Sequence, residues 1–138
     1  MAEHEKFPVE VLTPEGEVFN DEVEMVSTRT TVGSIGVLAH HTPMLAMLDP
    51  TELRLYKSDN DVVRFAQAEG YMQVANNRVM LLLEEAHTPE SLDAADLRER
   101  VQQADKELEA AGDDTERRRV ALRDKHRLER FLQIAEGA

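Results

Sequence analysis

Short runs in which apolar and polar residues roughly alternate fill the first 85 positions. FPVEVLT (7–13), EVEMVST (22–28), VVRFAQA (62–68), YMQVA (71–75) and RVMLLLE (78–84) carry β-branched residues with partial period-two spacing. That spacing predicts half-buried strands. Turn formers bound the runs at Pro14-Glu15-Gly16, Asn60-Asp61 and Asn76-Asn77. Asn tolerates positive φ, so Asn76-Asn77 predicts a tight hairpin. Glu22-Val23-Glu24-Met25-Val26 alternates polar out and apolar in, and Val79 to Leu83 is almost continuously apolar, as in a central strand covered on both faces. Many short antiparallel strands of this kind make a sandwich or a barrel.

The period changes after residue 86. Leu97, Val101, Ala104, Leu108 and Ala111 recur every three or four positions, a narrow apolar stripe on one helix. Ala121, Leu128, Phe131, Leu132 and Ala135 line one side of a second. Ala, Leu, Glu and Arg, all strong helix formers, dominate both segments. Gly112 suits the end of the first helix, and Asp113 with Glu116 fits a capping box for the second. Helices joined by so short a link run antiparallel. The chain thus predicts a mainly β fold with C-terminal α: an antiparallel sandwich over residues 1–86 and a two-helix hairpin over 87–138.

Charge sharpens this division. The 138 residues carry 16 Lys and Arg against 28 Asp and Glu, a net charge of −12. Residues 1–85 account for −9, residues 86–114 for −6 and residues 115–138 for +3, so the last helix is a basic element on an acidic protein. The acidic total argues against binding nucleic acid or anionic lipid. The chain has no cysteine, which removes disulfide, thiol and Cys-ligated metal chemistry. No apolar run approaches the roughly 18 residues of a membrane span. The first twenty residues resemble neither a signal peptide nor a transit peptide. At 4% aromatic residues without tryptophan, the core is expected to be aliphatic. The alanine-rich stripes make the helix pair a weakly held element, either docked for good or able to move at modest cost.

Candidate chemistry is sparse. His40 and His41 are adjacent and would point to opposite faces of a strand. His87 lies near Glu84, Glu85 and Asp93, an oxygen-rich junction that would serve a free-standing nucleotide-binding module, the alternative reading of this chain. Phosphate-loop, dinucleotide and His-Glu-x-x-His motifs are absent, and no serine sits in a nucleophile elbow. Gly33-Ser34-Ile35-Gly36 reads as a turn with close backbone packing. A metal site or a catalytic centre is not expected.

Gly33-Ser34-Ile35-Gly36-Val37-Leu38-Ala39-His40-His41-Thr42-Pro43-Met44 resembles the Gly-x-x-Gly-x-Leu-x-x-His-x-Pro stretch of the epsilon subunits of F-type proton-translocating ATP synthases. Val11 to Gly16, Glu22 to Ser27, Ala68 to Val74, Asn77 to Leu82 and Ala86 follow the family's order. The resemblance extends through the helical segment.

It implies about ten strands and a two-helix hairpin, in a non-catalytic rotor subunit that couples proton flow to ATP synthesis. Expected partners are the gamma subunit, the c-subunit ring and, when the hairpin extends, the alpha and beta subunits. The expected location is the cytoplasmic face of the bacterial membrane, peripheral and without insertion. Gly33, Gly36, Leu38, His41, Pro43 and Met44 are the expected interface residues of the sandwich. Arg117, Arg118, Arg119, Arg123, Arg127 and Arg130 are expected on the helix that restrains hydrolysis. Some members bind regulatory ATP through an Ile/Leu-Asp-x-x-Arg-Ala motif and arginines of the second helix. Here Leu92-Asp93 matches its start and Arg123 and Arg127 keep i,i+4 spacing, but Asp96 and Leu97 occupy the Arg and Ala positions. A carboxylate in place of a guanidinium repels phosphate, so no cofactor is expected and ATP binding is disfavoured.

Overall fold

A computed structural model describes residues 4–137. Ten strands among the described residues form one sheet: β1 (Phe7–Thr13), β2 (Gly16–Val23), β3 (Met25–Thr30), β4 (Gly33–Val37), β5 (Met44–Leu48), β6 (Thr51–Ser58), β7 (Asp61–Gln67), β8 (Gly70–Ala75), β9 (Arg78–Leu83) and β10 (Ala86–His87). Their order is β10-β7-β6-β3-β5-β8-β9-β1-β2, with β4 on the other side of β3. The sheet folds over at the single pair Thr30↔Leu48, giving two facing layers. It nearly closes again where the Glu24 N–H donates to the Tyr56 carbonyl at 2.7 Å and Lys57 Nζ meets Asp21 at 2.9 Å. The pairing is antiparallel except between β1 and β9, which run parallel. Between the layers lies an aliphatic core in which Val11, Val23, Val26, Val37, Leu53, Leu55, Met72 and Leu81 have no exposed surface.

Three local expectations change. The run 22–28 is not one strand. It breaks at Glu24, where the chain crosses between layers, and the buried residues are Val23, Val26 and Thr28, so the step across the break is three rather than two. Gly33 to Gly36 belongs to β4 rather than a turn. Only Gly33, at φ 140°, closes the two-residue link from β3. The close approach is instead at Gly70, where an added Cβ would collide with the Leu82 carbonyl and lie 2.9 Å from Leu83 Cα. β9 is central in hydrogen bonding, between β8 and β1, but only Val79, Leu81 and Leu83 face the core. The Asn76-Asn77 link has positive φ at both residues (53° and 57°), as the hairpin requires.

The chain divides after Thr88, because β10 still pairs with β7. The second unit holds a 3-10 turn (Pro89–Ser91), α1 (Ala94–Ala111) and α2 (Thr115–Gly137). Asp93 caps α1, its carboxylate accepting the N–H groups of Ala95 and Asp96 at 3.0 and 3.2 Å. Gly112, at φ 54°, ends it. The cap of α2 is Asp114 rather than Asp113. Its carboxylate accepts the Arg117 N–H at 3.1 Å, and the helix starts one residue later than the capping-box reading placed it. Leu97, Ala104 and Ala111 of α1 are buried, as are Ala121, Leu128, Phe131 and Ile134 of α2.

Candidate docking surface

Residues opposite each other in neighbouring strands share a face of the sheet. The register therefore aligns Met47, Tyr71, Leu82 and Leu12 in one row on the outward face of β5, β8, β9 and β1. Met47 is 57% exposed, Tyr71 50% and Leu82 47%. The next row is Leu45, Gln73, Met80 and Glu10, with Leu45 72% exposed. β5 and β9 thus carry apolar residues in both phases: one set fills the core, and the other is turned outward. Contiguous apolar surface on a soluble fold marks a place where another molecule sits. A 330 Å³ hollow lined by Leu12, Pro14, Tyr71 and Leu82 lies at one end. A 170 Å³ hollow lined by the polar Glu10, Asn20, Gln73 and Arg78 lies at the other. Sequence reasoning missed Leu45, Met47, Tyr71 and Leu82; the signal was the unbroken apolar run itself, read as burial on both faces by the chain's own residues.

Of the six expected sandwich residues, Gly33 and Met44 adjoin this face at Leu45 and Met47. Gly33 and Met44 line a 390 Å³ depression together with Val32, Ile35, Leu45 and Met47. Val32, at the tip of the β3–β4 turn, is 96% exposed. Gly36 is exposed, with room for a Cβ, which would meet Met25 Sδ at 3.6 Å. Leu38 and Pro43 are exposed; Met44 is half-buried and packs on the core. His41 donates its N–H to the Leu38 carbonyl at 3.2 Å and holds the Thr42 carbonyl with Nδ1 at 2.7 Å. The two histidines lie in a turn rather than a strand. His40, at φ 63°, donates its N–H to Asn77 at 2.7 Å, and its ring contacts Glu5. His87 pairs with Glu85 at 3.0 Å.

The arginines of α2 divide among local partners. Arg118 reaches the Gly112 carbonyl at 3.3 Å, Arg119 pairs with Glu116 at 2.6 Å, and Arg130 bonds Gln133 at 2.8 Å. The Arg119 guanidinium holds the Glu116 carboxyl below its ordinary range, and Glu116 raises Arg119 in turn. Arg117 lies 3.9 Å from Glu107 of α1. Arg123 is exposed near Asp124, whereas Arg127 is buried and bonds Asp124 at 3.1 Å. The i,i+4 pair Arg123 and Arg127 is therefore split between solvent and interior. Asp93, the third residue of the expected nucleotide set, uses its carboxylate on the α1 cap.

Comparison with known proteins supplies the context. A family model described as the ATP synthase Delta/Epsilon chain beta-sandwich domain matches residues 6–89. An ATP synthase epsilon chain of Priestia megaterium is 38% identical over 106 residues, covering 77% of this chain and 78% of that one. Another, from Caldicellulosiruptor bescii, is 35% identical over 133 residues and covers 95% and 94%. Among solved structures, a chain in the mitochondrial ATP synthase of Euglena gracilis (OSCP, F1 and c-ring) superposes with a TM-score of 0.78 at 19% identity, over 91% of this chain and 78% of that one. That likeness is one of fold.

Proposed function

The chain belongs to the ATP synthase epsilon-chain family, a non-catalytic subunit of that complex, and from this premise we infer that it is a rotor subunit docking through the outward apolar face of β5, β8, β9 and β1. The observation that carries the reading is the row Met47, Tyr71, Leu82 and Leu12, whose exposed apolar surface a partner would cover. The gamma subunit is the partner assigned to that face. The β3–β4 tip at Val32 and the Leu38–Met44 segment, next to it, are assigned to the c-subunit ring. Coupling follows mechanically: a sandwich gripped by both partners carries rotation between them. No helix among the described residues is long and apolar enough to cross a membrane. The proposed location is peripheral, on the cytoplasmic face of a bacterial membrane. α2, with its exposed Arg117, Arg118, Arg119 and Arg123, is assigned the role of restraining ATP hydrolysis against acidic surface of the alpha and beta subunits. ATP is not assigned a site, because Asp93 caps α1 and Asp96 stands where the nucleotide motif has arginine.

Two experiments test these assignments. Cysteines introduced at the exposed Ser34 and Thr42 are expected to crosslink to the c ring or to gamma in the assembled complex. Reaction with neither would remove the interface. Deleting residues 89–138 is expected to raise hydrolysis by the complex, and an unchanged rate would remove the inhibitory role while leaving coupling intact.

A further inference from the structure

The outward face of β5, β8, β9 and β1 changes character along its strands. The row Met47, Tyr71, Leu82 and Leu12 is apolar apart from one hydroxyl. The next row, Leu45, Gln73, Met80 and Glu10, mixes apolar and polar side chains, and β2 extends it with Asn20. Beyond it, Ala75 stands opposite Arg78. An apolar centre passing into a polar edge is the usual anatomy of a protein interface. The 170 Å³ hollow lies at this polar edge, and Arg78 and Glu10 give it one charge of each sign. Arg78 and Met80 share a side of β9, and Met80 is level with Glu10 of β1, so the two charges are diagonal neighbours within reach of long side chains. Among the described residues, neither side chain makes an ion pair or a hydrogen bond. The basic residues of β3, β6 and β7 behave otherwise. Arg29 lies 3.8 Å from Asp49, Arg54 and Arg64 lie 2.7 and 3.7 Å from Glu52, and Lys57 lies 2.9 Å from Asp21. Carboxylates are in excess in this chain, 28 acidic residues against 16 basic, yet Arg78 has none in contact where the docking face turns polar.

We propose that Arg78 and Glu10 are the specificity residues of the docking face, reading a partner surface that offers a carboxylate to Arg78 and a basic group to Glu10. This deepens the reading of the face as the gamma site and rests on it. The apolar row supplies contact area that many surfaces could match. The two charges fix register and orientation, because a slipped or reversed partner brings like charges together. The guanidinium can hold a carboxylate through two parallel N–H bonds. Asn20 and Gln73, on the walls of the hollow, have both donors and acceptors for the arriving groups. Docking expels water from the hollow, which strengthens both pairs.

Calorimetric titration of the gamma subunit into the full chain tests this, with circular dichroism as the check on folding. Arg78→Gln and Glu10→Gln are each expected to weaken binding roughly five- to thirtyfold, between the effects of an exposed and a buried charge pair. Arg78→Lys keeps the charge and is expected to lose less than Arg78→Gln. The swapped variant Arg78→Glu/Glu10→Arg leaves the net charge of the chain unchanged but turns both contacts repulsive. It is expected to bind roughly thirtyfold or more weakly, and below either single variant. Affinities within twofold of the original in the single variants, or a swapped variant that binds no worse than they do, would overturn the proposal. The apolar double variant Tyr71→Ala/Leu82→Ala separates this from the reading beneath it. Normal binding by that variant would remove the face itself, and the proposal with it. Weakened binding there, with the charge variants unaffected, would leave the face standing and overturn the proposal alone.

Discussion

Truncating two neighbours on the outward face, Tyr71→Ala with Leu82→Ala, is expected to weaken binding of the gamma subunit without unfolding the chain. Fully burying a large apolar side chain is worth about 1.5–3 kcal/mol. Tyr71 is 50% exposed and Leu82 47% in the free chain. About half of that gain therefore remains for each to make on docking, about 0.75–1.5 kcal/mol apiece. The two residues oppose each other across β8 and β9, so their contributions overlap, and the combined loss is about 10- to 100-fold in Kd. Titration calorimetry of gamma into the purified chain reads this directly. Arg64→Ala, exposed on β7, is the control and is expected to bind normally. Affinity within twofold of the original for the double variant, with unchanged circular dichroism, would refute the assignment of this face.

Two further predictions concern the sandwich itself. Gly70→Ala is expected to lower stability by about 1–3 kcal/mol in urea unfolding, because its Cβ meets backbone of β9 that cannot turn aside. Gly36→Ala, whose Cβ meets only the flexible Met25 side chain at 3.6 Å, is expected to change stability by no more than about 0.5 kcal/mol; equal losses would contradict the packing described. The bond from Lys57 holds Asp21 below the ordinary carboxylate range, and Asp21 raises Lys57 in return. The contribution of Asp21 is thus present above about pH 4 and lost as acid carries the pH through its lowered folded value. That of Lys57 is present below about pH 10.4 and lost as alkali carries the pH through its raised one. Lys57→Gln is expected to move the Asp21 titration, followed by NMR, upward. An unmoved titration would mean that the β2–β6 closure does not depend on this pair.

Much of the fold was legible because local chemistry left no alternative. Phe7–Thr13 is a strand over the expected residues, Asn76-Asn77 takes the left-handed turn, and Gly112 ends a helix where the apolar stripe stops. Strands without β-branched alternation were not legible by period. β6 (TELRLYKS) does alternate, burying Leu53 and Leu55, but has leucines where β-branched residues would mark a strand, and β5 (MLAML) offers no polar positions at all. The docking face was hidden for a related reason. A partner's surface and the chain's own core both demand apolar residues, so the alternation that marks a solvent-facing strand is erased in β9. Arg127 shows the reverse case: a charge reads as exposed, yet Asp124 one turn earlier lets the guanidinium lie in the interior.

The central claim is that the outward face of β5, β8, β9 and β1 is covered in the complex, and thiol labelling tests it most directly. The sequence has no cysteine, so a single cysteine at Tyr71 reports on that face, and one at Asn60, in the exposed β6–β7 link, serves as reference. In the free chain both are expected to react quickly with a maleimide. In the assembled complex the account predicts that labelling at position 71 slows at least about tenfold, the effect of a buried contact of roughly 1.4 kcal/mol or more, while position 60 is unchanged. Labelling at position 71 as fast in the complex as in the free chain would contradict it.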